Sequence, residues 1–297
     1  MKAASTPEYD AFGPWILPVS SHEQVPPVFQ AHPIDFTRAH DVLKVPRDIA
    51  RRDATPRSHL YDYLIALDRD GIEVLTRRGH RYSVQRISHD TVAAVDSGTE
   101  LLAGRFSVQA TNGSRIDVSF NAASSSVITN LADRLIGWST DELDDLRTLE
   151  ELDQDTLGYH DVGLVNGYNS LPYAHDGRRV TAAYTERVPT SHRSRIHRLL
   201  KGDTHLSGAV VGTDEQFAVV IARADWVRHT RKPDLSLRRI VIPKHHVTSI
   251  SSTPHPFLDG VVDLTVQSRE ARLVLTVPAD QAQVTTEAFA PVRTSTA

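Results

Sequence analysis

Two clusters of basic side chains carry the chemistry most open to a reading. Arg77, Arg78, His80 and Arg81 surround Gly79, and Arg228, His229, Arg231 and Lys232 form a second cluster. Cationic groups gathered on a tight turn hold phosphate or carboxylate through charge-assisted hydrogen bonds. Arginine does so with two parallel bonds. The anion-binding expectation therefore rests on Arg77, Arg78, Arg81, Arg228, Arg231 and Lys232. The same groups could meet an anionic lipid surface, at about 1 kcal/mol per residue. The competing reading is a solvated turn, because exposed hairpin tips need polar residues. A third basic stretch, His192, Arg193, Arg195, His197, Arg198 and Lys201, has an apolar face of only Ile196, Leu199 and Leu200. That face suits a helix docked on its own domain better than one lying in a membrane surface.

Other chemistry finds little footing. The chain has 15 histidines, but their spacing does not assemble ligands. His245-His246 in a strand would point to opposite faces. His89-Asp90 and Tyr159-His160-Asp161 have no third ligand close in sequence, and His22-Glu23 runs into Pro26-Pro27 instead of completing H-E-x-x-H. No metal and no cofactor is expected. The absence of cysteine excludes disulfides, thiolate zinc sites and a cysteine nucleophile. There is no G-x-S-x-G elbow and no glycine-rich phosphate loop, so no catalytic residue is singled out. The net charge of −4 and pI near 6.4 give no global basic field for nucleic acid. Of the 33 basic residues, 28 are arginine, a bias that GC-rich coding explains without function.

These side chains must be positioned by the elements around them. The length of 297 residues suggests two domains. No apolar run reaches the roughly 18 residues a membrane span needs, and Met1–Asp10 lacks the apolar core of a signal peptide. A cytoplasmic protein, peripheral to the membrane if the basic tips touch lipid, is the expectation. Residues 1–58 hold eight of the 16 prolines, which excludes long helices and predicts an extended arm. Its apolar clusters (Phe12, Trp15, Ile16, Leu17, Val19; then Val25, Val28, Phe29, Ile34, Phe36) predict that the arm packs on the next domain, with one short helix near Glu23–Gln30. From Leu60 the period becomes two. Hairpin turns are read at Asp68–Gly71, at Arg77–His80 and at Asn112-Gly113, the last being the strongest such signal. The period then turns helical at Val127, Ile128, Leu131, Leu135 and Ile136, with Gly137 as its stop. Residues 139–202 read as a connection, acidic from Asp141 to Asp155, then broken by glycines, then basic.

The second half repeats the first. Ile87, Val92 and Val95 match Ile242, Val247 and Ile250. Leu102-Ala103-Gly104 matches Leu258-Asp259-Gly260. Phe106, Val108 and Ala110 match Val262, Leu264 and Val266, and Ile116, Val118 and Phe120 match Leu273, Leu275 and Val277. The copies differ at their ends: in Ala279–Phe289 Val284 and Thr285-Thr286 lower helix propensity, and a brief closing helix is the expectation there.

Short alternating hairpins, the Ile-x-x-x-x-Val run at Ile87–Val92 and Ile242–Val247, the Leu-x-Gly step at Leu102 and Leu258, and the helix Val127–Ile136 resemble the bacterial pleckstrin-homology-like fold. The resemblance covers roughly residues 60–140 and 203–290, by pattern. It implies a mainly β (α+β) protein: two tandem small antiparallel β-barrel or sandwich domains, 59–138 and 203–297, the first closed by a C-terminal helix and preceded by the proline-rich arm. It also implies interaction rather than catalysis, since members of that fold mostly bind or scaffold. The expected partner is a protein or an anionic membrane surface, met through strand edges and basic hairpin tips. The rival expectations are a hydrolase with its site between the domains and a structural subunit of a larger assembly.

Overall fold

Period-two alternation governs most of the chain, and the protein is accordingly mainly β, with antiparallel pairing throughout its sheets. The computed structural model describes residues 6–137, 151–171, 178–189, 204–229 and 232–290. The first half comprises α1 (Pro7–Asp10), β1 (Leu17–Pro18), β2 (Asp41–Pro46), β3 (Tyr61–Asp68), β4 (Gly71–Arg78), β5 (Arg81–Ser88), β6 (Val92–Glu100), β7 (Ala103–Ala110), β8 (Arg115–Asn121) and α2 (Ser125–Leu135). The second comprises α3 (Val162–Asn169), β9 (Arg179–Tyr184), β10 (His205–Leu206), β11 (Ala209–Thr213), β12 (Phe217–Ala222), β13 (Val227–Arg228), β14 (Leu237–Pro243), β15 (Ser249–Pro254), β16 (Val261–Ser268), β17 (Ala271–Pro278) and α4 (Ala282–Phe289). With the two-residue strands β1, β10 and β13 set aside, four strands, a 3-10 turn, three strands and a helix follow one another twice. The first set is β2–β5, β6–β8 and α2; the second is β9, β11, β12, β14, then β15–β17 and α4.

Local chemistry sets the turns. The Asp68 carboxylate accepts from the backbone N–H groups of Asp70 (2.8 Å) and Gly71 (3.0 Å), an Asx turn that starts the β3–β4 hairpin. Gly71 has φ +149°, and a Cβ there would lie 2.2 Å from the Ile87 carbonyl oxygen, so only glycine fits. Asp214 builds the β11–β12 turn in the same way, accepting from Gln216 N (2.8 Å) and Phe217 N (2.7 Å).

Strands β1–β5 form one sheet in sequence order. The larger sheet has seven strands in the order β8-β7-β6-β14-β12-β11-β9, and so draws from both halves. Its centre is the pairing of Val95–Thr99 on β6 with Leu237–Val241 on β14. Arg238 forks onto Asp96 across this junction, with Nε–Oδ1 at 2.9 Å and Nη2–Oδ2 at 2.7 Å. Every residue of β12 is buried, as expected of a strand covered on both faces. Val219, Ile221 and Val241 face a core shared with Ile65, Ile72, Phe106, Val118, Ile128 and Leu131. Their alternates Ala218, Val220 and Ile240 face Leu264, Leu275, Ala288 and Phe289. The short α4 is held by polar clamps as well: Thr213 Oγ1 donates to the Ala288 carbonyl (2.8 Å), and Lys244 Nζ donates to Thr213 Oγ1 (3.2 Å) and the Asp214 carbonyl (2.9 Å).

Several expectations need correction. The proline-rich segment is more than an arm, because β1 and β2 are members of the five-stranded sheet. Its Phe12, Val19, Val25 and Phe29 do pack on that sheet, against Val42, Tyr61, Leu64 and Leu75, each burial stabilising by about 1.5–3 kcal/mol. The helix expected near Glu23–Gln30 is only a 3-10 turn at His22–Gln24, since Pro26 and Pro27 remove the N–H groups a longer helix needs. Among the described residues the sheets are open rather than barrels, because β6, paired with β7 on one edge, meets β14 of the other half on its second edge instead of β5. The connecting region contributes α3 and the edge strand β9, which the sequence did not signal. His245 and His246 lie in a 3-10 turn, not a strand, and their rings are tilted against one another with centroids 4.0 Å apart. Residues 141–150 of the acidic run and the basic stretch His192–Lys201 lie outside the described residues.

A buried ion pair ties α2 to β14: Arg239 Nη1 lies 2.8 Å from Asp133 Oδ1, both side chains being nearly inaccessible. Burial pushes the Asp133 carboxyl up, and the charges of Arg239 and Arg178 only partly offset this. A raised carboxyl contributes stability that is complete below the ordinary aspartate range and is lost as pH rises through its folded value. Wild type should therefore lose stability relative to Asp133→Asn as pH rises from that range to neutrality. At neutral pH, Arg239→Ala should cost about 3–5 kcal/mol in urea unfolding, because it strands a buried carboxylate.

Candidate anion-binding site

The β4–β5 hairpin ends in a two-residue turn, Gly79-His80, with Gly79 at φ +67°. Strand alternation sends neighbouring side chains in opposite directions, and the arginines at this tip have different fates. Arg77 lies across Asp62 on β3, with Nε–Oδ1 at 2.8 Å and Nη2–Oδ1 at 2.6 Å, and its Nη1 donates to the Gly79 carbonyl (3.2 Å). Arg47, just after β2, approaches the same carboxylate (Nε–Oδ1 3.7 Å) and donates to the His59 carbonyl (3.1 Å). Arg78 and Arg81 face one another across the end of the ladder and are exposed. Among the described residues their guanidiniums make no ion pair.

Two imidazoles complete the cluster. His59 Nε2 and His80 Nδ1 are 3.1 Å apart, one donating to the other, with the rings edge to face. Burial first, and then the neighbouring His80, Arg77 and Arg47, hold His59 below the usual histidine value. Arg47, Arg77, Arg78, Arg81, His59 and His80 thus lie at one end of the five-stranded sheet, where Arg47 and Arg77 share the Asp62 carboxylate. Such an arrangement favours an anion and can grip it with two outward-pointing guanidiniums.

The second cluster is built differently. Arg228 is on β13 and buried, not at an exposed tip. Its Nη1 lies 3.2 Å from Glu186 Oε2 and its Nε 3.4 Å from Asp234 Oδ2, and its Nη2 donates to the Lys232 carbonyl. Glu186 also meets His205 Nδ1 at 2.9 Å. The charge of Arg228 is thereby balanced inside the protein by two carboxylates. Lys232 is exposed, and Arg231 lies outside the described residues. Sequence reasoning found Arg77, Arg78 and Arg81. It missed Arg47 and His59, which the β2–β3 connection delivers to the same end, and Asp62 at the start of β3. The one available signal was that β2 and β3 must turn where β4 does.

An open cleft of about 1170 Å³ runs between the N-terminal segment, β6–β8 and β14, lined by Trp15, Tyr63, Asp96, Arg105, Ser119 and Arg238 among others. Its lining includes Ser119 and no histidine, and several carboxylates, among them Asp62, Asp96 and Asp225. Among the described residues no three His, Asp or Glu side chains gather as metal ligands, and no helix is long and apolar enough to cross a membrane. Comparison with protein-family models gave no match, and comparison with curated proteins gave none.

His59 reports on the field at this tip. Arg77→Gln should move its pKa upward, because one like charge is removed. Inorganic phosphate bound at the tip should do the same in wild type, by offsetting the cationic field. Both shifts are read from the ring resonances of His59 in an NMR pH titration.

Proposed function

We propose that the protein is a non-catalytic interaction module, built from two pleckstrin-homology-like units, that recognises an anionic surface through the β4–β5 tip of the first unit. The observation that carries the reading is the pair Arg78 and Arg81, exposed and without a carboxylate partner among the described residues, above Arg77 and Arg47, which share Asp62. In this reading Arg78 and Arg81 contact the anion, Arg77 and Arg47 supply field, and Asp62 positions them. The repeated order of four strands, three strands and a helix supports the fold part of the proposal. The absence of cysteine accords with a cytoplasmic location. Arg228 contributes structure rather than contact, since releasing it would leave Glu186 and Asp234 uncompensated.

The test is co-sedimentation with vesicles of neutral lipid and of neutral lipid mixed with phosphatidylserine, with inorganic phosphate as a competitor. Wild type should bind only the anionic vesicles, and binding should fall as added salt shortens the screening length. Arg78→Glu/Arg81→Glu removes two contacts worth about 1 kcal/mol each and should weaken binding roughly thirtyfold. Wild-type binding that is equal on both vesicles, or absent from both, would sink the reading.

A further inference from the structure

The junction between the halves is a specific pairing: the fifth strand of the first set, β6, against the fourth strand of the second set, β14. The same two positions recur once more, as β15 and β5. Among the described residues, strand β15 pairs only with β16, and β5 only with β4. Among the described residues neither strand makes a backbone hydrogen bond on its other side. Among the described residues there is therefore one used copy of this edge-to-edge contact and two complementary halves without a backbone partner, β5 reaching its own half there only through the Gln85 side chain, which donates to the Arg115 carbonyl (2.9 Å).

The hydrogen-bonding phase of the free edges matches. A two-residue turn closes β4–β5, so Arg78 and Arg81 are the terminal bonded pair. Bonded and non-bonded pairs alternate in an antiparallel ladder, so the N–H and C=O groups of Tyr82, Val84 and Arg86 point away from β4. On the other edge, His255 N donates to the Val261 carbonyl (3.0 Å). By the same alternation Ile250, Ser252 and Pro254 point away from β16. In the junction, Thr99, Ser97 and Val95 oppose Leu237, Arg239 and Val241. The corresponding residues are Pro254, Ser252 and Ile250 against Tyr82, Val84 and Arg86, the outward-facing set on each strand.

Neither edge is defended by a charge that must be buried. The outward set on β15 carries none, and Arg86 is drawn back to Asp68 (3.4 Å) and Asp70 (3.8 Å) of its own hairpin. The match fails at one position, where Pro254 lacks the N–H that Thr99 has. Its carbonyl remains.

We propose that the β15 edge of one molecule pairs antiparallel with the β5 edge of a second copy of this chain, repeating between molecules the β6–β14 contact made within each. The association is heterologous and head to tail, so it grows beyond a dimer into a ring or an open chain. It rests on the twofold element order but not on the anion site, and Arg78 and Arg81 play no part in its test.

Sedimentation velocity of the full chain over a concentration series reads the proposal. Wild type should sediment faster as concentration rises. Ser252→Pro and Val84→Pro each remove one outward N–H and leave the inner ladder untouched. Each alone should be monomeric, with circular dichroism and thermal midpoint as in wild type. Mixed in equal amounts they should form a dimer, because Ser252→Pro retains an intact β5 edge and Val84→Pro an intact β15 edge. A wild type that stays monomeric throughout the series, variants that associate as wild type does, or folded variants that fail to combine would each overturn the proposal. Vesicle binding that is lost while this association persists, or the reverse, separates it from the anion reading.

Discussion

The rest of the structure depends on the backbone ladder between β6 and β14. These strands come from opposite halves of the chain, and their pairing converts two separate sets of strands into one seven-stranded sheet. A sheet that passes through both halves must be covered on both faces. Each cover is supplied locally: the five-stranded sheet with α2 on one side, and β15–β17 with α4 on the other. The buried Asp133–Arg239 pair and the Arg238–Asp96 fork lie on this same seam. They bring charge to a region where shifting the register by one residue would turn each strand's faces over.

The two basic clusters show how little a local motif says about charge. Both are arginine-rich and both follow a strand in corresponding places. In one, Arg228 is balanced by Glu186 and Asp234 and withdrawn from solvent. In the other, Arg77 and Arg47 share Asp62, and Arg78 and Arg81 stay exposed. Coulomb attraction acts through space, and the acids that decide the outcome come from other strands. Asp62 holds Arg77 and Arg47 in place, and the outer guanidiniums of Arg78 and Arg81 are left to face solvent.

The hairpins were legible in the sequence because their determinants are local. Alternation from Tyr61 to Phe120, the Asp68–Gly71 turn, Asn112-Gly113 and the apolar face of Ser125–Leu135 all act within a few residues. The mainly β, antiparallel character followed directly from them. What could not be read was pairing at long range. Asp96 and Arg238 are 142 positions apart, and neither strand carries a mark of its partner. Strand β2 was hidden by flanking prolines, though Pro46 sits at its last position, where a missing N–H costs little. Strand β9 is an edge strand and α3 a short helix interrupted by Gly163 and Gly167, so neither has a strong period of its own. At the candidate site, the tip arginines were found and their neighbours on the β2–β3 connection were not, for the same reason.

Amide hydrogen exchange across the seam tests the account most directly. The N–H groups of Val95, Ser97, Arg239 and Val241 are the ones committed to the β6–β14 ladder. In dilute protein they should exchange only with global unfolding, as the most protected class. The counterpart amides of Ile250 and Ser252, on the open edge, should exchange orders of magnitude faster. Seam amides that exchange as quickly as those edge amides would contradict the account, because the two halves would then not be joined by a shared sheet.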